Sequence, residues 1–233
     1  MKKELRILLS LAAIVAAGVA IASVVYNRGA HSTPSAVSGT QGTNPGGVTK
    51  SYGVSLREEL LRPDSHSMGP ENAPLIVVEF LDPECESCKA FYPHMKHFLK
   101  EKEGKVRFVV RYMAFHTSSA MAIGAAESAG LQGKYWEMLE LLFENAEEWG
   151  HKPEPQAAFF EKYAQNLGLD IARFKADLVD PRWKVLIERD MADGKVLGVR
   201  GTPTVYLNGD ILQHLSIDGL RAQTDPILKT VSP

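Results

Sequence analysis

Two residues carry the most chemical promise in this chain of 233 residues: Cys85 and Cys88, its only cysteines, spaced C-x-x-C in "FLDPECESCKAFYP". Two thiols one helical turn apart can cycle between a dithiol and a disulfide, supply half a metal site, or staple a loop. A staple closing so short a loop constrains the unfolded chain little. Redox use fits the local context better. Cys85 falls at the expected start of a helix, where unpaired backbone N–H groups and the helix dipole favour a thiolate. Cys88 lies one turn further in, more sheltered. The first can attack a disulfide and the second can resolve the mixed disulfide that results.

A metal reading needs more ligands. His94 and His97 extend the pair to C-x2-C-x5-H-x2-H. At about 100° per residue, Cys85 and Cys88 sit near 0° and 300° on a helical wheel and the histidines near 180° and 120°, so the imidazoles face away from the thiols. No metal and no cofactor is expected. Two-coordinate Cu(I) on the thiols alone stays open, because soft thiolates suit it; that reading makes the chain a thiol-based copper binder and not an enzyme. Glu79 is the one charge in the apolar run "LIVVEFL". A buried carboxylate is costly without a task or a partner; the two candidates are proton exchange with Cys88 and an ion pair with Arg111 on the next strand. Thr202-Pro203, in "GVRGTPTVYLNG", precedes a short strand, and an X–Pro bond there can be cis. Met113, Met121, Met138 and Met191 read as core filler, Trp136, Trp149 and Trp183 as mostly core, His116 as structural or solvated, and Glu144–Glu148 as a solvated face.

These residues need a frame. With 45% apolar and 23% charged residues and a formal net charge of −2, the composition is that of a globular protein without a basic surface for nucleic acid. Lys2, Lys3 and Arg6 precede an uncharged apolar run, Ile7 to Tyr26. Twenty helical residues span roughly 30 Å, a bilayer's hydrocarbon core, and the basic flank stays in the cytoplasm. Residues 1–26 are therefore expected to be a signal anchor, with cleavage after Ala20-Ile21-Ala22 as the other reading. Residues 27–66, rich in Gly, Ser, Thr and Pro at first, are expected to be a flexible tether.

The folded domain is expected over 67–233. Leu75–Leu81 reads as a strand buried on both faces. Phe91, Tyr92, Met95, Phe98 and Leu99 mark a helix with Pro93 inside it, and Lys105–Met113 a second strand, which completes a βαβ unit. A helical block about 117–198 follows. Asn208-Gly209 then turns a hairpin, and a last helix follows Asp218. The expected fold class is α/β: βαβ, a helical insertion and ββα around a mixed sheet of about four strands.

On these motifs the chain resembles the DsbA-like branch of the thioredoxin superfamily. The resemblance rests on "VVEFLDPECESC", Pro93 eight residues after Cys85, the insertion with "AAESAGLQGKYWEMLELLF", and "GVRGTPTVYLNG", over about Gly69 to Leu228. It implies a thiol:disulfide oxidoreductase with a thioredoxin-like fold, Cys85 as nucleophile, Cys88 as resolving thiol, Pro203 as a cis-proline facing them, a client peptide paired with the backbone of Thr202, and Glu79 as a buried acid beneath the cysteines. The partners implied are client proteins with cysteines and a membrane redox protein that resets the pair. The place implied is the outer side of a bacterial inner membrane. One departure bears on potency. The strongly oxidising members carry Pro-His between the cysteines, whereas this chain has Glu86-Ser87, whose negative charge opposes the thiolate. A less oxidising protein is expected. A reductase or isomerase is the alternative, although Ser51 to His66 is too short for a dimerisation module.

Overall fold

Leu75 to Leu81 is apolar at every position but Glu79, and such a strand is stable in the middle of a sheet with both faces covered. The computed structural model, which describes residues 59–153 and 157–230, places it there. The chain runs β1 (Ser67–Met68), β2 (Leu75–Leu81), α1 (Glu86–Glu101) and β3 (Val106–Tyr112). Six helices follow: α2 (Ser119–Gly130), α3 (Tyr135–Glu144), α4 (Ala146–Trp149), α5 (Ala157–Asn166), α6 (Ile171–Leu178) and α7 (Arg182–Leu197). β4 (Thr204–Leu207), β5 (Asp210–Ile211) and α8 (Ile217–Thr230) close the fold. This is the expected mixed α/β architecture with a helical insertion. The membrane segment expected at 1–26 and most of the tether lie outside the described residues.

The sheet has the order β1-β3-β2-β4-β5. β2 pairs in parallel with β3 and antiparallel with β4. The expected four strands become five because a two-residue strand, β1, pairs onto β3; with β5 it caps the edges, and strands so short leave little edge for another chain to pair with. Asn208 (φ 50°) and Gly209 (φ 97°) make the hairpin turn, as the Asn-Gly pair predicts.

Strand alternation divides the core. Leu75, Val77 and Leu81 face Cys88, Phe91, Met95 and Phe98 of α1 and the apolar faces of α2 to α6. Val78 and Phe80 face the other way, against Val109, Met113, Leu60 and the partly buried Met191 of α7. Gly194 lets α7 come close there, since an added Cβ would lie 2.6 Å from Met113 Sδ.

On that second face Arg111, fully buried, donates to Asp190 Oδ1 (2.8 Å) and Asp193 Oδ2 (2.6 Å). It also donates to the carbonyl of Leu60, while Arg62 forks onto Asp193. The boundary expected at residue 67 is thus too late. Leu60 is 1% exposed, so residues from at least Glu59 pack on the domain. The tether reading missed this because a single buried leucine leaves no periodicity.

Candidate active site

The turn after β2 delivers both cysteines. Cys85 is the N-cap of α1, in extended backbone, and its N–H donates to the Asp82 carbonyl (3.1 Å). Cys88 follows one turn inside the helix and is wholly buried, while Cys85 keeps 8% exposure. Both are free thiols. Cys85 Sγ lies 3.4 Å from the carbonyl oxygen of Thr202, to which the thiol donates. Thr202–Pro203 is a cis peptide bond, and β4, paired with β2 from Thr204, holds it beside the cysteines.

The two thiols differ in ionisation. A hydrogen bond from Cys88 brings Cys85 down to about 5 against the opposing cost of burial, with further help from Thr202 and the N–H groups of Cys88 and Ser87. Burial pushes Cys88 well above the ordinary thiol range, reinforced by its bond to Cys85 and the charge of Glu79. Near neutral pH one sulfur is a thiolate and the other keeps its proton.

Glu79 is 3% exposed on the same sheet face as Cys88, and burial raises its pKa to about 8. The ion pair considered for it with Arg111 does not form. In the β2–β3 register Glu79 stands opposite Val110, and Arg111 stands opposite Phe80. Arg111 therefore points to the other face, over the Phe80 ring.

The structure adds residues that sequence reasoning left aside. Asp82, fully buried, accepts from the N–H of Glu84 (2.9 Å), the N–H of Phe115 (2.9 Å) and His116 Nδ1 (2.8 Å). Glu84, 2% exposed, accepts from the N–H groups of Ser118 (2.6 Å) and His151 (2.7 Å). His151 Nε2 lies 3.0 Å from Glu86 Oε1. His116, expected to be structural or solvated, is thus tied into the cysteine loop, and two histidines flank it where none was expected. The only local hint was the acid-rich "DPECE" run. His94 and His97 stay exposed on α1, with His97 beside Glu101 and Arg221.

The family model Thioredoxin_4, described as thioredoxin, matches residues 62–225. Among curated proteins the chain is 37% identical over 147 residues to Na(+)/H(+) antiporter NhaA 3 of Salinispora tropica. It is 34% identical over 144 residues to Na(+)/H(+) antiporter NhaA of Herminiimonas arsenicoxydans. Each match takes in 62% of this chain but only 22% of the antiporter, so the chain spans about a fifth of the length of these relatives. Among solved structures, a thioredoxin-like oxidoreductase from Silicibacter pomeroyi superposes with a TM-score of 0.63 at 24% identity, covering 74% of this chain and 98% of that one. The thiol-disulfide exchange protein alpha-DsbA2 from Wolbachia pipientis gives 0.62 at 22% identity, over 74% and 91%. BdbD from Bacillus subtilis gives 0.59 at 24% identity, over 70% and 92%. At these identities the likeness is one of fold. With the family model spanning the sheet, the cysteine helix and the insertion, this chain belongs to the thioredoxin family and has the fold of its DsbA-like members.

Proposed function

We propose that this chain is an extracytoplasmic thiol:disulfide oxidoreductase acting on client proteins through Cys85-Glu-Ser-Cys88. The observation that carries the reading is the opposed ionisation of the two thiols, Cys85 at about 5 and Cys88 far above it. In the oxidising direction a client thiolate attacks Sγ of Cys85 in the Cys85–Cys88 disulfide. The bond between the cysteines breaks, Cys88 leaves and takes up a proton, and Cys85 is joined to the client. A second client thiolate attacks the client sulfur, and Cys85 leaves as a thiolate, two electrons having passed from client to cysteine pair. A thiol of low pKa is a good leaving group. In the reverse direction the Cys85 thiolate attacks a client disulfide and Cys88 resolves it.

In this reading Glu79, buried on the sheet face that Cys88 packs against, serves Cys88. Protonated up to about pH 8, it can donate to Cys88 as that sulfur leaves and take the proton back when Cys88 attacks. Thr202 and Pro203 border the nucleophile and offer backbone to an extended client segment. The charge of Glu86 argues for a less oxidising site than a Pro-His pair. The basic residues before the apolar run Ile7–Tyr26 support a single-pass anchor in a bacterial inner membrane, the domain outside, with a membrane redox partner resetting the cysteines.

Replacing Cys88 with Ala tests the roles. Mixed disulfides with clients at Cys85 should accumulate on a non-reducing gel and vanish in Cys85→Ser/Cys88→Ala. If no adducts form, the assignment is wrong.

A further inference from the structure

The reduced site gathers negative charge. The loop after β2 contributes Asp82 and Glu84, both buried and both hydrogen-bonded only as acceptors. The first turn of α1 adds Glu86 and the Cys85 thiolate. Lys89, further along α1, is engaged at the surface with Glu147 of α4. The opposing charge comes from the two ends of one stretch of the insertion. His116 enters just before α2, its Nδ1 on Asp82, and His151 enters just after α4, its Nε2 on Glu86. The rings meet edge to face, 5.3 Å between centroids.

Both histidines are fixed there by the active-site loop itself. The His151 backbone is left-handed (φ 54°), a conformation that non-glycine residues adopt uncommonly and at a cost. The bond from its N–H to buried Glu84 holds it. That strain places a basic ring on the acid between the cysteines. Both side chains remain open to solvent, at 31% and 45% exposure.

We infer that His116 and His151, carried in by the helical insertion, form the cationic side of this redox site: His116 stabilises the Cys85 thiolate, and His151 neutralises Glu86. This rests on the disulfide-exchange reading above. It makes the site more oxidising than Glu86-Ser87 alone would be, because whatever stabilises the thiolate favours the reduced form over the disulfide. The effect has a pH window. The Cys85 thiolate exists above about pH 5. Burial works against a charged His116 ring, but its bond to Asp82 and the charges of Asp82, Cys85 and Glu84 outweigh this and raise its pKa above the ordinary 6.5. The favourable charge interaction of His116 with the thiolate spans that interval and is lost on the alkaline side as the His116 ring deprotonates.

The test is the equilibrium of the full-length chain with reduced and oxidised glutathione, at pH 7 and pH 9, for the parent, His116→Gln, His151→Asn and the double variant. Asn tolerates the left-handed backbone, so His151→Asn guards against a folding artefact at His116. At pH 7 each single variant should shift toward the disulfide on the order of five- to tenfold, the double variant further, and at pH 9 His116→Gln should converge with the parent. His97→Gln, on the exposed side of α1, should match the parent at both. Variants indistinguishable from the parent at pH 7, or a His116→Gln displacement equal at both pH values, overturn the inference and leave disulfide exchange standing. A parent that never equilibrates with glutathione removes both.

Discussion

Glu79 and Arg111 stand one register step apart on neighbouring parallel strands and point to opposite faces of the sheet. Arg111 meets Asp190 and Asp193 behind the sheet, while Glu79 is left among apolar groups beneath Cys88, without an ion-pair partner among the described residues. Arg111 is taken up in ion pairs, whereas Glu79 has none among the described residues.

Glu79→Gln should therefore slow disulfide exchange by on the order of tenfold or more while stabilising the domain. The folded state holds the Glu79 proton up to about pH 8, whereas the unfolded chain releases it near the ordinary 4.5. The Glu79 contribution to the parent's stability is most favourable below 4.5 and falls as pH rises toward 8, by about 1.4 kcal/mol per pH unit; glutamine does not titrate. Denaturant unfolding at pH 5 and pH 8 should show the variant's advantage growing with pH. A constant difference would contradict the burial of this acid.

Cys85 should titrate near pH 5 by ultraviolet thiolate absorbance, and at pH 6 iodoacetamide should alkylate Cys85 alone. A midpoint near the ordinary value of 9, or equal labelling of Cys88, would remove the asymmetry on which the proposed mechanism depends.

Changing Glu86-Ser87 to Pro-His should raise the reduction potential, because an acid beside the thiolate is exchanged for a base. About 30 mV corresponds to a tenfold change in the equilibrium constant. An unchanged potential would show that the charge of Glu86 does not reach Cys85.

Arg111→Met should lower stability by about 3–5 kcal/mol, since it removes the buried cation shared by Asp190 and Asp193 and leaves them only the partly exposed Arg189 and Arg62. The potential of the cysteine pair, on the other face, should stay as it is. A shifted potential would mean that the two faces are coupled.

Much of this molecule was legible in order along the chain. Leu75–Leu81 and Lys105–Met113 read as buried strands, the C-x-x-C pair as a helix start, Asn208-Gly209 as a hairpin, and the stretch between as helices. All of these are local signals, set by hydropathy period and turn chemistry over a few residues. The cysteine pair is local too: two cysteines three positions apart need no fold to bring them together. What surrounds them was not legible. Whether Arg111 meets Glu79 or Asp190 depends on a register step that turns a side chain to the other face. Leu60 and Arg62 dock through partners such as Asp193, far along the chain. His116 and His151 lie well apart in sequence and become neighbours only because Asp82 and Glu84 anchor the insertion to the cysteine loop. The sequence alone determined the cysteine pair and the scaffold that presents it. Tertiary structure decided the charges around that pair, because long-range contacts between single side chains leave no periodic trace in the chain.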